Sequence, residues 1–537
     1  MLNRLAVSRL LVAGLAVSMV GWTGPATAAS DGSTGHDRAA EARATSALTR
    51  AEHLFTGDRS LREKQAAGGS TDGRDATLVL RDLARTADAL PTSAQRRRAA
   101  QILARPTDGD AASAAGDPEY TSPAGSDCGA HICVHWVEDG TRDSVHGGRV
   151  ATGNDGDLST VPTYVKTTLS TMEHVYYEEV TKLGYRKPLS DGTLGGNSKT
   201  DVYLADVGSE GYYGYCTSDA SSASTASQID AYCVLDNDYA RSQFPYHTAT
   251  ENLHVTAAHE FFHAVQFAYD ADEDDWFMEG TAAWMEDEVY DGVDDNRQYL
   301  AASMLSDPYV PLDTGSGDFE YGAWIFWRYL SESARAGAAD DPTVIRNVWH
   351  AAIGKPYSTL ALRRVLAARG GGFAKSFTNF GTAIRNPARY LSEGRHYRAA
   401  PLERSATLTT RRRSSPAWSI PVDHMSHSFI RFTPGSSLTG RWRIRVSLNL
   451  PGTSRGSLAQ MVAHRKDGTL GVRHIHLSAD GNATHTFTFS RSAVHYLELD
   501  LINDSVRFKC WQGRRLSCQG APLDENLTAH VSARALR

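Results

Sequence analysis

The sequence predicts an α+β protein, and three changes of residue pattern along its 537 residues indicate this class. Residues 128–240 mix short β-rich runs with one helix, and residues 250–395 carry apolar residues at the 3–4 spacing of helices. From about residue 405 the pattern changes to alternating strands separated by Gly, Asn and Asp turns. We therefore predict a twisted sheet packed on a helical half, followed by a C-terminal β-sandwich over residues 405–537.

The first 28 residues are typical of a signal peptide. A basic start at Arg4 and Arg9 precedes an apolar run from residue 10 to 22, and Ala26-Thr27-Ala28 supplies the small residues of a cleavage site. The run is short for a bilayer span, and no later segment approaches about eighteen consecutive apolar residues. We expect a secreted, extracellular protein without a membrane anchor.

Residues 29–125 have the composition of a propeptide and linker. Two Ala/Arg-rich pieces, Thr77 to Ala89 and Ser93 to Ala104, predict helices, and a Gly/Ser/Asp-rich tract follows them. We hypothesise that this region covers a functional site until it is cut, with Arg96-Arg97-Arg98 as a candidate cutting point.

The six cysteines fall into three pairs that are close in sequence. Such pairs suit an oxidising compartment, although six cysteines allow fifteen connectivities. None has the C-x-x-C spacing of a structural thiolate zinc site. We predict three disulfides, Cys128 with Cys133, Cys216 with Cys233, and Cys510 with Cys518.

The strongest functional signal is His-Glu-Phe-Phe-His at residues 259–263. The surrounding stretch, Glu251 to Tyr269, has neither Gly nor Pro and reads as a buried amphipathic helix. On a helix, His259 and His263 lie on one face and can bind one metal ion. Glu260 beside them is placed to accept a proton from a metal-bound water. Two histidines packed in a core without a metal is the alternative, and it leaves costly unpaired polar groups.

A catalytic zinc site takes three protein ligands, so one more is needed. Gln266 and Tyr269 stand where the longer metzincin pattern needs Gly and His or Asp. The segment Trp276 to Glu286 instead resembles the Glu-Gly-x-Ala helix of gluzincin peptidases, and that resemblance implies Glu279 as the third zinc ligand. Glu286, two turns further, either orients a ligand imidazole or is an exposed helix charge.

Further features are implied by the same resemblance. Tyr321 lies in Phe319-Glu320-Tyr321-Gly322-Ala323-Trp324. This segment resembles the Tyr-x-x-Gly helix start that carries the catalytic Tyr of M1-type enzymes, although strict alignment puts Phe319 at that position and Tyr321 two residues on. The alternative role of Tyr321 is packing. Ala231 to Leu235 resembles, by position, the edge strand that pairs with substrate in gluzincins, and otherwise is an ordinary strand. The Gly-x-Met-Glu-Asn element of M1-type aminopeptidases is not visible, which favours an endopeptidase.

Residues 130–395 as a whole resemble a family of secreted bacterial zinc metallopeptidases. Besides the zinc helices, the segments that carry this resemblance are Cys133-Val134-His135-Trp136, residues 201–206 and residues 211–216. The resemblance implies a gluzincin-like domain over residues 128–395 that holds Zn²⁺ and hydrolyses protein or peptide substrates by means of metal-activated water.

Charge is unevenly distributed along the chain. Residues 401–537 hold 19 Lys and Arg against 9 Asp and Glu, although the net charge of the whole chain is −7. A basic C-terminal module can bind an acidic cell-surface polymer, and a solvated basic face is the plainer interpretation. No motif supports nucleic-acid binding. The alternative function is therefore a secreted surface- or carbohydrate-binding protein whose zinc domain is inactive or structural.

Overall fold

The structure is a computed structural model of the full chain. It describes residues 35–55, 76–109, 119–138, 159–219, 227–333, 341–354 and 357–537. The predicted signal peptide lies outside the described residues. Within them the chain is mixed helix and sheet with a sheet-rich C-terminal region, as the sequence predicts.

The first sheet has five strands in the order β1-β2-β3-β5-β4. Strands β2, β3 and β5 are parallel, and β1 and β4 add antiparallel edges. The three parallel strands are almost wholly buried, as expected for strands covered on both faces. The five strands are β1 (Gly125–Cys128), β2 (Ile132–Trp136), β3 (Thr200–Ala205), β4 (Gly214–Thr217) and β5 (Tyr232–Asp236).

Helices precede, interrupt and follow this sheet. Near the N-terminus are α1 (Gly35–Phe55), α2 (Ala76–Thr86) and α3 (Ser93–Ile102). Between β2 and β3 lies α4 (Thr163–Tyr176), which continues as a π-helical segment over Tyr177–Lys182. After β5 come α5 (Ala249–Phe267), α6 (Asp275–Tyr290), α7 (Asp318–Gly322), α8 (Trp324–Ser333), α9 (Thr343–Ala352), α10 (Ser358–Ala368), α11 (Gly372–Arg385) and α12 (Pro387–Tyr390).

The helical stretch after α10 is divided into two helices, α11 and α12. It breaks at Asn386, whose backbone angles are φ −137° and ψ 53°. The following Pro387 explains the break, because proline disfavours helical geometry in the residue before it.

The N-terminal helices belong to the same hydrophobic core as the sheet and the later helices. Leu78, Leu80 and Leu83 of α2 are all buried in this core. Tyr120 continues the contact, because its hydroxyl bonds the backbone of His135 and Leu204 on neighbouring strands. The described part of residues 29–125 is thus packed against the region that follows it.

The C-terminal region forms two facing sheets around a second hydrophobic core. One has the order β11-β10-β13-β8-β6 and the other β12-β9-β16-β7. Their strands are β6 (Arg404–Leu408), β7 (Trp418–Val422), β8 (Ser426–Pro434), β9 (Arg443–Asn449), β10 (Ser457–Arg465), β11 (Leu470–His474), β12 (Asn482–Thr488), β13 (Val494–Asn503) and β16 (Leu527–Leu536), and a small ladder joins β14 (Phe508–Lys509) to β15 (Ala521–Pro522).

One predicted strand is wrong in its place in the sheet. The segment Ala231 to Leu235 is not an edge strand, because β5 lies between β3 and β4, and β4 forms the edge of the sheet. The error concerns which strand lies beside which, and alternation along one strand does not encode its neighbours.

All three predicted disulfides are confirmed. Two of them join directly opposite residues of neighbouring strands, Cys128 with Cys133 across β1 and β2, and Cys216 with Cys233 across β4 and β5. The third closes the loop from Cys510 to Cys518. None of the helices that the structure describes is long and apolar enough to cross a membrane.

Candidate metal centre

Helix α5 carries both histidines of the His-Glu-Phe-Phe-His motif. It starts with a capping box in which the Thr248 hydroxyl accepts from the Glu251 amide and the Glu251 carboxylate accepts from the Thr248 amide. From Leu253 to Phe267 nearly every residue is buried. A helix that is buried all round presents its polar residues to other protein groups or to a ligand, because water is excluded.

His259 is held at both ring nitrogens by carboxylates of α6. Its Nδ1 lies 2.6 Å from Glu286 Oε1, and its Nε2 lies 3.1 Å from Glu279 Oε2. Glu286 is buried and so is not the exposed helix charge of the alternative prediction. Its contact with Nδ1 turns Nε2 toward Glu279, which is how a carboxylate orients a ligand imidazole.

His263 is oriented by an amide instead of a carboxylate. Its Nδ1 lies 2.7 Å from Gln266 Oε1, so its Nε2 also faces Glu279, at 3.4 Å from Oε1. The Gln266 amide nitrogen donates to the carbonyl of Met278 and to the Thr281 hydroxyl. These two hydrogen bonds fix which end of the Gln266 amide faces the His263 ring, and they join α5 to α6.

The close contact of α6 with the next two helices depends on Gly280. A Cβ atom at this position would lie 2.9 Å from Trp327 Nε1, 3.0 Å from Ala323 Cβ and 3.2 Å from the carbonyl of Glu320. Only a residue without a side chain allows this approach. The Glu-Gly pair therefore sets Glu279 toward α5 while the next residue brings α7 close to the site.

The donor atoms of His259, His263 and Glu279 all lie within 4.8 Å of one another. Ligands about 2.1 Å from a tetrahedral zinc ion lie about 3.4 Å apart, which is close to the two measured Nε2-to-carboxylate distances. Glu279 is 1% exposed, and its Oε1 lacks a hydrogen-bond partner within the described residues. The donor set thus fits a divalent cation, and such a cation would be the partner of the buried Glu279 carboxylate.

The electrostatics of the three groups are those of a site that attracts cations. Burial opposes protonation of His259, but its hydrogen bonds to Glu279 and Glu286 outweigh burial and raise its pKa well above the usual range. Burial likewise opposes ionisation of Glu279, but the two histidines hold the pKa of this carboxyl far below its usual range. Burial raises the pKa of Glu286 to about 7, against the lowering effect of His259. Protons and metal therefore compete for the imidazoles.

Glu260 lies beside this donor set without belonging to it. It is 7% exposed, and its Oε2 accepts a hydrogen bond of 2.8 Å from the hydroxyl of Thr77 in α2. A carboxylate next to a metal centre but outside its ligand set is available for proton transfer.

Tyr321 of α7 faces the same site. Its ring centroid lies 5.8 Å from that of His259 and 4.8 Å from that of Tyr299. Together with Gly214 of the edge strand and Glu260, it lines a small pocket of about 40 Å³. Tyr321 is thus packed against a histidine of the site and also faces the open space beside it.

Two residues of the site have no role in the sequence-based predictions. Gln266 serves there only to exclude the metzincin pattern, yet it orients His263. Its position three residues after His263 on one helix is a signal, because side chains at that spacing are neighbours. Glu179 of the π-helical segment is fully buried, neither of its carboxylate oxygens has a hydrogen-bond partner among the described residues, and burial raises its pKa well above the usual range. No local pattern marks Glu179, because its burial and its electrostatic interaction with His259 are tertiary.

A second group of carboxylates also has donor atoms within 4.8 Å of one another, namely Asp287, Asp294 and Glu393. Arg297 bonds Asp294 at 2.7 Å and Glu393 at 2.6 Å, and Arg328 bonds Asp287. These arginines already neutralise the carboxylates, so we assign no metal here.

Comparisons with known proteins provide no family for this chain. No family model matches the sequence, and no curated protein matches it. Among solved structures, the pre-peptidase C-terminal domain of a collagenase from Bacillus anthracis is similar to 25% of this chain over 97% of its own length, with 9% identity and a TM-score of 0.16. CorA, a surface-associated copper-binding protein of Methylomicrobium album, is similar to 24% of this chain over 96% of its own length, with 10% identity and a TM-score of 0.15.

A third structure, a GH115 4-O-methyl-α-glucuronidase with specificity for decorated arabinogalactans, is similar to 54% of this chain over 38% of its own length, with 7% identity and a TM-score of 0.15. Scores this low support no functional argument. The chemistry of the site has to be argued from its own residues.

Proposed function

We propose that this protein is a secreted zinc metallopeptidase of the gluzincin type, in which His259, His263 and Glu279 hold the metal and Glu260 is the general base. The observation that carries the proposal is the convergence of two Nε2 atoms on one buried carboxylate, with a second carboxylate beside them that is not a ligand. A purely structural zinc site needs four closed ligands and no adjacent base.

Zinc held by His259, His263 and Glu279 would act as a Lewis acid, lowering the pKa of a coordinated water to about 7 and polarising a carbonyl. Glu260 would accept a proton from the attacking water and pass it to the amine that leaves when the peptide C–N bond breaks. Tyr321, whose ring faces His259, donates its hydroxyl to the oxyanion that develops on the carbonyl. Glu286 and Gln266 keep the imidazoles in the tautomer that presents Nε2.

Zinc content and hydrolysis of casein, measured on the same preparations, test the proposal. Both are measured with the N-terminal region intact and after its removal. We expect one zinc per chain, lost in Glu279→Ala. Glu260→Gln should keep the zinc and lose activity by about 10²–10⁴-fold, the usual contribution of a general base. A Glu260→Gln enzyme as fast as the wild type would remove the proposed base.

Glu251→Gln is the matched control, because it lies on the same helix and glutamine also suits a capping box. It should keep both zinc and activity. Peptides with blocked and free N-termini distinguish an endopeptidase, which cleaves both, from an aminopeptidase, which needs the free amine.

A second candidate function has its own observation, the exposed face of the four-stranded C-terminal sheet. Arg443 and Arg445 of β9 and Arg534 of β16 are exposed on this face, and Arg445 lies directly opposite Arg534. Like charges in register destabilise a sheet, and no acidic residue occurs in its four strands. Such a face suits an acidic cell-surface polymer.

Co-sedimentation of the full chain with polygalacturonate beads tests this binding, with neutral dextran beads as the control. We expect retention on the acidic polymer alone, which is lost as salt is raised. Equal retention on both polymers, or on neither, would remove the candidate.

A further inference from the structure

Helix α2 lies against the metal centre through Thr77. The Thr77 hydroxyl donates to Glu260 Oε2 at 2.8 Å and accepts from the backbone amide of Cys216 at 3.0 Å. Cys216 belongs to the edge strand β4, beside which the described part of the chain places no further strand. One side chain thus engages both the proposed base and an edge-strand amide that an extended peptide would use.

Two arginines of α2 hold this helix on the loop that joins the metal-binding helices. Arg81 is buried and donates to the carbonyl of Glu273 at 3.1 Å and to the carboxylate of Asp275 at 2.9 Å. Arg85 makes two bonds of 2.8 Å with the two carboxylate oxygens of Asp272. The acidic run between α5 and α6 is therefore a docking surface for α2, and paired bonds of this kind fix orientation.

The space left beside the metal centre is small. The pocket lined by Gly214, His259, Glu260 and Tyr321 has a volume of about 40 Å³. This admits about three water molecules, since one needs about 10–15 Å³ of such space. An extended peptide along β4 would have to displace Thr77 and the helix that carries it.

We infer that α2 is an inhibitor of the metal centre held within the same chain, with Thr77 in the place of substrate. The inference rests on the proposed function. The segment escapes cleavage because it is helical, and the carbonyls within a helix are bonded to amides four residues on. Peptide substrates gain access when α2 leaves, which requires a cut in the chain after α2 or its undocking.

The part of the N-terminal region that follows α3 is bonded to the central region through Arg105. Arg105 is 1% exposed and bonds Asp191, Asp201 and Asp219 at 2.7, 2.5 and 2.9 Å. Removing it would leave buried carboxylates without their cation, which is strongly destabilising. An activating cut therefore falls between α2 and Arg105. The non-helical residues 90–92 between α2 and α3 are the accessible part of this stretch, because Arg96-Arg97-Arg98 lie within helix α3.

The test is a full chain with a site-specific protease sequence inserted between Leu90 and Pro91, studied before and after the cut and removal of the N-terminal fragment. Two quantities are measured: hydrolysis of a quenched fluorescent peptide, and hydrogen exchange at the amide of Cys216. Each should rise by about ten-fold or more on removal, because access is limited by the fraction of undocked molecules. Adding the fragment back should reverse both changes. The amide of Val234 in strand β5, which has a neighbour on each side, reports folding and should stay protected.

Point variants test the contacts without a cut. Thr77→Ala and Arg81→Ala in the intact chain should each raise peptide hydrolysis and Cys216 exchange. Thr49→Ala is the matched control, since this threonine is exposed on α1 and bonds only its own helix. It should change neither quantity.

The two proposals fail in different ways. Unchanged Cys216 exchange after removal, or full peptidase activity before it, would overturn the inhibitor and leave the peptidase intact. Exposure of Cys216 without any hydrolysis, with Val234 still protected, would support the docking of α2 on the site and overturn the peptidase.

Discussion

Polar side chains lie in different places in the two regions of the molecule, the central region (residues 128–395) and the C-terminal region (residues 404–537). In the central region, four ionisable side chains meet in the interior around α5 and α6, namely His259, His263, Glu279 and Glu286. In the four-stranded C-terminal sheet, the buried positions of the described strands are all apolar or Ala, and arginines point outward.

This difference separates what a fold needs from what a function needs. Alternating apolar residues are enough to build the C-terminal sheets. Nothing in the packing of α5 against α6 requires two histidines and two glutamates, whose burial is costly unless they are paired. The five-stranded sheet of the C-terminal region lies between these two cases, because it also buries polar residues. Its Gln460, Glu498 and Asp500 face helix α11 and form the seam between the two regions.

The largest expected effect is that of zinc on the stability of the central region. At a free concentration about a thousand times the Kd, zinc should raise the free energy of unfolding by about 4 kcal/mol, because it binds the folded state only. His263→Ala should abolish this rise, whereas His530→Ala on the C-terminal sheet should keep it. Chemical denaturation with and without zinc measures both. An equal rise in the two variants would mean that the metal binds elsewhere.

The seam between the regions should be sensitive to acid. Burial raises the pKa of Glu498, but hydrogen bonds from His464, Arg385 and Arg431 outweigh burial and lower it to about 2. A lowered carboxyl pKa stabilises the fold above the unfolded value near 4.5, and that contribution is lost as the pH falls from about 4.5 to 2.

Glu498→Gln should therefore lower stability by about 3 kcal/mol at pH 7, and the difference from wild type should shrink toward pH 2. Denaturation at a series of pH values measures it. Glu403→Gln, which affects only a partly exposed pair with Arg404, should change stability by less than about 1 kcal/mol. A Glu498→Gln deficit that does not depend on pH would contradict an ionic role.

Two buried glutamines, one in each region, sharpen the comparison further. Gln266→Leu should weaken zinc binding by about 10–100-fold, because His263 loses the partner that orients it. Gln266→Glu, which can still accept from Nδ1, should retain most of the affinity. Gln460→Leu should lower stability without changing the zinc Kd. Competition with a chelating dye measures the Kd, and equal Kd values for the two leucine variants would show that Gln266 only packs.

The smallest expected effect is on the basic face. Arg534→Thr removes one member of the opposed pair with Arg445 and should raise stability by about 0.2–1 kcal/mol at low salt. The same change should weaken retention on polygalacturonate. Arg398→Thr, at an exposed arginine between the two regions, should do neither. A loss of stability in Arg534→Thr would mean that these arginines are not in repulsion.

Much of the local structure was readable from the residues. The absence of Gly and Pro from Glu251 to Tyr269 and the amphipathic pattern of this stretch predict α5, and helix geometry then places His259 and His263 on one face. The disulfides follow from sequence separations of 5, 17 and 8 residues, because short loops close easily. The order of strands was not readable, and β4 rather than β5 is the edge.

The sequence by itself determined the elements, the pairs of cysteines and the histidines that can share an ion, since each depends on neighbours within a few turns of the chain. Only the tertiary structure decided that Gln266 joins α5 to α6, that Glu179 is buried, and that Thr77 bonds Glu260 across 183 positions of sequence. The physical reason is the sequence separation over which the interacting residues lie. Helical and strand periodicity act over a few residues, whereas contacts between distant segments depend on how whole elements pack, which no local pattern encodes.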